Sequence, residues 1–232
     1  MKHGINRQIA AYFGERGLKH HQKEQISRIA QDWPNSPSTI LDVGCANGVM
    51  IQALGDLYPN ALKHGIDLSP ELVAEAKSKL VCGYQFVVAD VITYKPDRKF
   101  DVIVASGIMS IFEDFITPLE LWLSWLEDGG RLYVFGPFNS ADIDTKILFR
   151  NNNYGSDWEG GLTSYSKTTV SCYLEKAGKY SYEFQKFSQP ESIPKRDNPI
   201  RNHTIKMTGG ESLLVNGANI ISEYFFLSIL KG

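Results

Sequence analysis

The segment Thr39-Ile40-Leu41-Asp42-Val43-Gly44-Cys45-Ala46-Asn47-Gly48 constrains the fold more than any other stretch of the chain. An apolar, β-type run ends in an acid, and two glycines follow with three residues between them. Val49-Met50-Ile51-Gln52-Ala53-Leu54 then reads as an opening helix. Strand, tight turn and helix in that order belong at the carboxyl edge of a parallel sheet, where open α/β sheets bind their ligands. Gly44 and Gly48 let the backbone approach a ligand where a Cβ would collide.

The pattern repeats. Leu62–Asp67 reads as a second strand ending in an acid, and Asp67 lies 25 residues beyond Asp42. In dinucleotide folds an acid roughly 20 residues past the glycine turn grips a ribose diol. Tyr84–Val91 is a third strand, running into Asp90. That acid is placed to accept from an adenine amino group with Val91 packed on the ring, or to act as a plain turn acid. Phe100–Gly107 is a fourth strand, and Gly129–Gly136 a fifth, entered through a glycine pair.

In content and order these segments resemble the class I S-adenosylmethionine-dependent methyltransferases. The resemblance rests on Leu41–Gly48, Gly65–Ser69, Ala89-Asp90-Val91, Phe100–Ile103 and Leu126–Leu132, and covers about residues 38–136. It implies a Rossmann-like α/β fold: a seven-stranded, mostly parallel sheet with helices on both faces and one antiparallel strand near the C-terminal edge. It also implies S-adenosylmethionine as cofactor and S-adenosylhomocysteine as product. On that reading Asp42 attracts the ammonium of the methionine arm, and the turn through Gly44, Cys45, Ala46 and Gly48 holds the amino-acid part. Asp67 takes the ribose diol, because a carboxylate offers two acceptor oxygens. Leu68 and Val91 cover the adenine faces, Asp90 holds its amino group, and Ala105 and Ser106 line the methionine arm. Cys45 has no histidine beside it in sequence and reads as packing within the turn, not as a nucleophile.

Two rival cofactor folds fit less well. A nicotinamide dinucleotide site prefers Gly-x-Gly-x-x-Gly, and its middle glycine is Ala46 here, which crowds a pyrophosphate. The Gly-x-x-x-x-Gly-Lys-Ser/Thr phosphate loop is absent from the sequence. Methyltransferases of this fold that act on adenine amino groups carry Asn/Asp-Pro-Pro-Tyr/Phe after the fourth strand. Ser106-Gly107-Ile108-Met109 stands there instead, which disfavours nucleic-acid amino groups. A net charge of −2 likewise lacks the basic footprint of a general nucleic-acid binder. Three widely spaced cysteines, Cys45, Cys82 and Cys172, read as reduced thiols. With a polar N-terminus and no long apolar run, they lead us to expect a cytoplasmic protein.

The expected organisation is one methyltransferase domain over 1–232. It comprises a helical cap (1–37), a cofactor-binding core (38–136), and insertions after strand five (137–165) and near strands six and seven (188–210). Helical spacing over 5–32 suggests two helices broken near Gly14–Gly17, with Tyr12 and Phe13 either closing over the cofactor or packing on the core. Ser69 and Pro70 open a helix over 70–80. Residues 166–178 read as another helix, 180–187 as a strand, 212–221 as a hairpin around Asn216-Gly217, and 222–230 as the last strand.

The acceptor is expected to meet the insertions. Phe138 and Asn139, after the fifth strand, are the preferred contacts. Tyr154, Trp158 and Tyr165 form either an aromatic wall or a packing cluster. Where the acceptor must lose a proton, His20, His21 and His203 are candidate bases. His203 is favoured because Arg201-Asn202-His203-Thr204 lies in a polar excursion. We expect direct, metal-independent methyl transfer to a small molecule, with oxygen as the acceptor atom and neither DNA nor membrane as partner. Other readings are an RNA- or protein-modifying methyltransferase, an aminopropyltransferase, and a cofactor-binding protein without turnover. The sequence carries no signal for the oligomeric state.

Overall fold

A computed structural model describes residues 17–150, 152, 157–160, 163–195, 201–210, 212–217 and 219–232. Five strands and the helices between them form the first half: α1 (His20–Asp32), β1 (Thr39–Val43), α2 (Val49–Leu57), β2 (Leu62–Asp67), α3 (Pro70–Lys79), β3 (Tyr84–Val88), β4 (Phe100–Ser106), α4 (Ile116–Ser124) and β5 (Leu126–Asn139). The second half holds the short strands β6 (Leu148–Phe149), β7 (Glu159–Gly160) and β8 (Tyr165–Ser166), then α5 (Lys167–Ala177), β9 (Tyr180–Phe187), β10 (His203–Lys206), β11 (Ser212–Val215) and β12 (Tyr224–Lys231).

The main sheet runs β3-β2-β1-β4-β5-β12-β9. Pairing is parallel from β3 through β5, and β12 is antiparallel to both of its neighbours. This is the expected seven-stranded path with its single reversed strand. The two-residue β8, paired parallel to the end of β5, makes an eighth. Parallel strands covered on both faces need continuous apolar runs, and β1 and β4 have them: Ile40, Leu41, Val102, Ile103, Val104 and Ala105 are all fully buried. One core lies under α1, α2 and α3, built on Ile29, Ile51, Leu54, Val73 and Ala76. The other lies under α4 and α5, built on Leu119, Trp122, Val170 and Leu174.

Local chemistry sets the boundaries. The Ser69 side chain accepts from Leu72 N–H and Pro70 fills the first position of α3, as the spacing predicts. Ser166 caps α5 by accepting from Thr168 N–H, and Gly178, at φ 69°, ends it. β5 starts three residues earlier than the glycine pair suggests. The register slips between Phe100 and Val102, and the loop of extra residues passes through Gly129 and Gly130. A Cβ on Gly130 would sit 2.8 Å from Glu127 O and 2.9 Å from Phe100 O. The glycines therefore mark an irregularity within the strand and not its beginning.

Three expectations are corrected here. β3 ends at Val88 instead of Val91, because the Asp90 carbonyl and carboxylate fold the chain into a turn through Ile92, Thr93 and Tyr94. The polar stretch 188–210 contains a strand, β10, which takes β11 as its antiparallel partner. Of the hairpin expected over 212–221 only a single bridge, Val215 to Ile221, remains. The first of the two expected N-terminal helices, with Tyr12 and Phe13, lies outside the described residues; the second is α1. No helix among the described residues is long and apolar enough to cross a membrane.

Candidate cofactor and acceptor site

The carboxyl ends of β1, β2, β3 and β4 converge on the glycine turn. Gly44, Ala46 and Gly48 all take positive φ, at 72°, 48° and 82°. The turn is held from below, since Gly44 N–H and Cys45 N–H both donate to Ile66 O, at 2.8 and 3.0 Å. Any side chain at Gly44 would strike Ile108, whose Cγ2 stands 2.6 Å from the Cβ position. The short spacing thus folds the chain back across the sheet's end, against the segment that follows β4.

Asp67 ties this turn to the next helix. One carboxylate oxygen accepts from Ala46 N–H at 2.9 Å, the other from Ser69 N–H at 2.9 Å. Each oxygen keeps acceptor capacity, since a carboxylate has about four lone-pair sites. Half-buried Leu68, Asp90 and Val91 line the same rim. Asp90 spends part of its carboxylate on Ile92 N–H at 2.9 Å, so the turn-acid alternative is realised at least in part.

Asp42 is the electrostatic centre of the arrangement. It is 2 % exposed, and its Oδ2 has no hydrogen-bond partner among the described residues. Burial pushes its carboxyl up to about 7, and the Asp67 charge adds to the rise, against a hydrogen bond from the Ile51 backbone. A buried acid left in this condition lacks a cation or a proton. Ser106 Oγ, at the end of β4, is likewise buried and without a partner among the described residues. Val104 is the register neighbour of Asp42, so Asp42 and Ser106 lie on one face of the sheet. Beside them Gly107 opens onto free space, with nothing within 4 Å of its Cβ position. A buried anion, an unpaired hydroxyl and an open glycine fit the ammonium end of an amino acid entering over β1 and β4.

Other expected contacts are displaced. Ala105 is fully buried and Cys45 is 4 % exposed, its thiol pushed well up by burial. Both can meet a ligand only through their backbone. Phe138 is fully buried, with its ring edge-on to Phe184 at 5.2 Å. It belongs to the core because β5 continues past Gly136 alongside β12, and Phe138 N–H still donates to Glu223 O. Asn139 spends its amide on a turn, donating to Ile143 O and accepting from Ala141 N–H. Tyr165 is 3 % exposed and donates to Phe112 O. Trp158 is 66 % exposed, beside Arg150. These two rings are a core residue and a surface residue, not one wall; Tyr154 lies outside the described residues.

The histidines separate as well. His203 sits in β10 opposite Val215 and is buried at 8 % exposure. His20 stands 4.0 Å from Glu24. His21 lies flat on Phe135, with ring centroids 4.3 Å apart and planes 8° apart. Phe135 is the register neighbour of Ser106, which places His21 one strand beyond the Asp42–Ser106 face. Sequence reasoning gave His21 no preference, since its partner is far away along the chain.

Comparison with known proteins agrees with this geometry. A trans-aconitate 2-methyltransferase from Rhodopseudomonas palustris (strain BisB5) is 28% identical over 145 residues, covering 62% of this chain and 55% of that one. A malonyl-[acyl-carrier protein] O-methyltransferase from Ilyobacter polytropus is 33% identical over 95 residues, covering 40% of this chain and 35% of that one. The chain thus spans about half the length, or less, of these relatives. Among solved structures, the plantazolicin methyltransferase BpumL in complex with a triazolic desmethylPZN analog and SAH superposes with a TM-score of 0.62 at 16% identity, over 97% of this chain and 90% of that one. The N-methyltransferase NodS from Bradyrhizobium japonicum, in complex with S-adenosyl-l-homocysteine, gives 0.55 at 14%, over 90% and 86%. At such identities the two likenesses speak for the fold. The model of the methyltransferase domain matches residues 14–179, most of the chain, and the protein belongs to that family.

Proposed function

We propose that this protein transfers a methyl group from S-adenosylmethionine to a small-molecule acceptor, with oxygen as the receiving atom, by direct in-line displacement. The observation that carries the reading is Asp42: a buried carboxylate with an unpartnered Oδ2, on the same sheet face as Ser106 and beside a glycine turn. Asp42 would hold the ammonium. The Asp67 carboxylate would take the ribose diol while its two backbone bonds keep it fixed. Leu68 and Val91 would cover the adenine, and the free part of the Asp90 carboxylate would meet its amino group. When bound, the cofactor supplies an electrophilic methyl group on a sulfonium. This chain's residues then supply position: a fixed turn and a closed face bring two reactants together, a contribution of several kcal/mol in well-aligned systems.

One of the relatives bears the name of an O-methyltransferase, which supports oxygen as the receiving atom for this chain. The test is calorimetric titration with S-adenosylmethionine, S-adenosylhomocysteine and NAD. Micromolar binding of both sulfur nucleosides without NAD binding is expected. Folded protein that binds neither would refute the reading.

A further inference from the structure

A cleft of about 230 Å³ runs beside α1. Gln25, Arg28 and Asp32 form one wall, at a spacing that puts them on one face of the helix. Phe226 and Ser228 of β12 form the floor, and Glu183 and Gln185 of β9 the far wall. Register neighbours run Asp42, Val104, Tyr133, Ser228 and Glu183 across the sheet. The floor therefore lies three strands from Asp42, roughly 14 Å away at strand spacing. His21, Phe135 and Phe187 pack together one step nearer the carboxyl edge and separate the cleft from the candidate cofactor site.

Its lining is polar and incompletely paired. Ser228 interrupts the apolar run Phe225-Phe226-Leu227-Ser228-Ile229-Leu230 at the floor. Gln25 is 1 % exposed; its Nε2 donates to Tyr133 O at 3.2 Å, which fixes the amide, and its Oε1 has no hydrogen-bond partner among the described residues. Arg28 lies over the Phe226 ring, 4.5 Å from its centroid, and gives Nη2 to Glu24. Its Nε is enclosed and equally without a partner among the described residues. Other nearby charges are engaged: Asp32 takes Arg131 and the Tyr133 hydroxyl, and Lys186, on the opposite face of β9, takes Glu223. Glu183 is exposed and has no ion pair among the described residues. An enclosed acceptor and an enclosed donor one turn apart call for a ligand that carries both, and the free carboxylate opposite them calls for a cation. A bare anion would meet Asp32 and Glu183. A bare cation would meet the Arg28 and Arg131 guanidinium groups and leave Arg28 Nε unanswered.

We propose that this cleft is a second ligand site, for a small zwitterion of the α-amino-acid type with an apolar side chain. The ligand's carboxylate draws the half-buried Arg28 guanidinium off Phe226 and accepts from Nε–H. That movement uncovers the Gln25 carbonyl, and the ammonium donates to it and to Glu183. The apolar side chain takes the place of the guanidinium on the Phe226 ring.

The test uses the whole chain, with S-adenosylhomocysteine added to occupy the candidate cofactor site, and three matched probes at millimolar concentration. These are L-leucine, 3-methylbutylamine, which lacks its carboxylate, and 4-methylpentanoate, which lacks its ammonium. NMR follows the Arg28 Nε–H and the Gln25 side-chain amide. Leucine should move both signals, and each fragment should bind at least about tenfold more weakly, the scale of losing a charged hydrogen bond. Glu183→Gln, at an exposed position, should weaken leucine binding about tenfold while the melting temperature holds. Unmoved Arg28 and Gln25 signals, a fragment that binds as well as leucine, or unaltered leucine binding in Glu183→Gln would overturn the proposal. Arg28 and Gln25 report on this cleft alone, so failure of the nucleoside to bind would strike the methyl-transfer reading and leave this result standing.

Discussion

Asp42→Asn removes one charge from the centre of the site and leaves its shape almost unchanged. In the free protein Asp42 is buried with Oδ2 unpaired, and its carboxyl is raised from 3.8 to about 7. At 1.36 kcal/mol per pH unit, that rise is a penalty of about 4 kcal/mol on the ionised folded state. The folded protein therefore binds the proton more tightly than the unfolded chain does. The stability linked to this group is fully present below pH 3.8, falls as pH rises toward 7, and levels off above it. Asparagine has no such charge, so the variant should be the more stable protein at pH 8, by at most about 4 kcal/mol. For a chain of this size that is about 8–16 °C in melting temperature. The gap should narrow steadily as the buffer is taken down to pH 5. With S-adenosylmethionine the order reverses: the unsubstituted protein gains an ammonium partner, whereas the variant loses about 1.5–3 kcal/mol of charged hydrogen bonding and binds about ten- to 150-fold more weakly. Below pH 7 the unsubstituted protein must release a proton to bind, so its affinity should fall about tenfold per pH unit; that of the variant should not. Thermal melts from pH 5 to 8, with and without the nucleoside, read all of this. A less stable variant at pH 8, or a gap that does not change with pH, would refute the assignment of Asp42 as an unsatisfied anion.

Two further substitutions separate the rim from the core. Asp67→Ala should weaken cofactor binding by at least about 1.5–3 kcal/mol, as charged hydrogen bonds are lost; calorimetry showing equal affinity would remove Asp67 from the ribose role. Phe138→Ala should lower the unfolding free energy by about 3–5 kcal/mol, as for a large ring deleted from a core. Urea unfolding that hardly moves, with acceptor binding altered instead, would return Phe138 to the acceptor site.

Much of the candidate site was legible because its signals are local. Gly44, Gly48 and Asp67 declare themselves through short-range spacing, and Ser69-Pro70 announces α3 within two residues. The surroundings of Phe138, His203 and His21 were not legible, because pairing between distant segments decides them. Nothing near Phe138 reveals that β12 will pair along β5 as far as Pro137 and draw that ring inward. Nothing near His203 announces β10, whose partner lies beyond a further loop. His21 meets Phe135 only when α1 is laid across the end of β5. The glycine pair at 129–130 misled for a related reason: a bulge and a strand start carry the same residues.

The place of β12 has a consequence for how the chain comes together. β5 and β9 never touch as neighbours; each pairs with β12, which follows both in the chain. While the protein emerges from the ribosome, β1 to β5 can assemble with their local crossovers, but β9 has no bonding partner in the main sheet until residues 224–231 appear. Up to that moment β5 presents an open edge, Phe225 and Leu227 are missing from the core under α4 and α5, and Phe226 is missing from its cluster with Phe135 and Phe187. A ribosome paused before this strand would therefore hold a nascent chain with an assembled front half and an adhesive edge, the state in which chaperone capture or aggregation is decided.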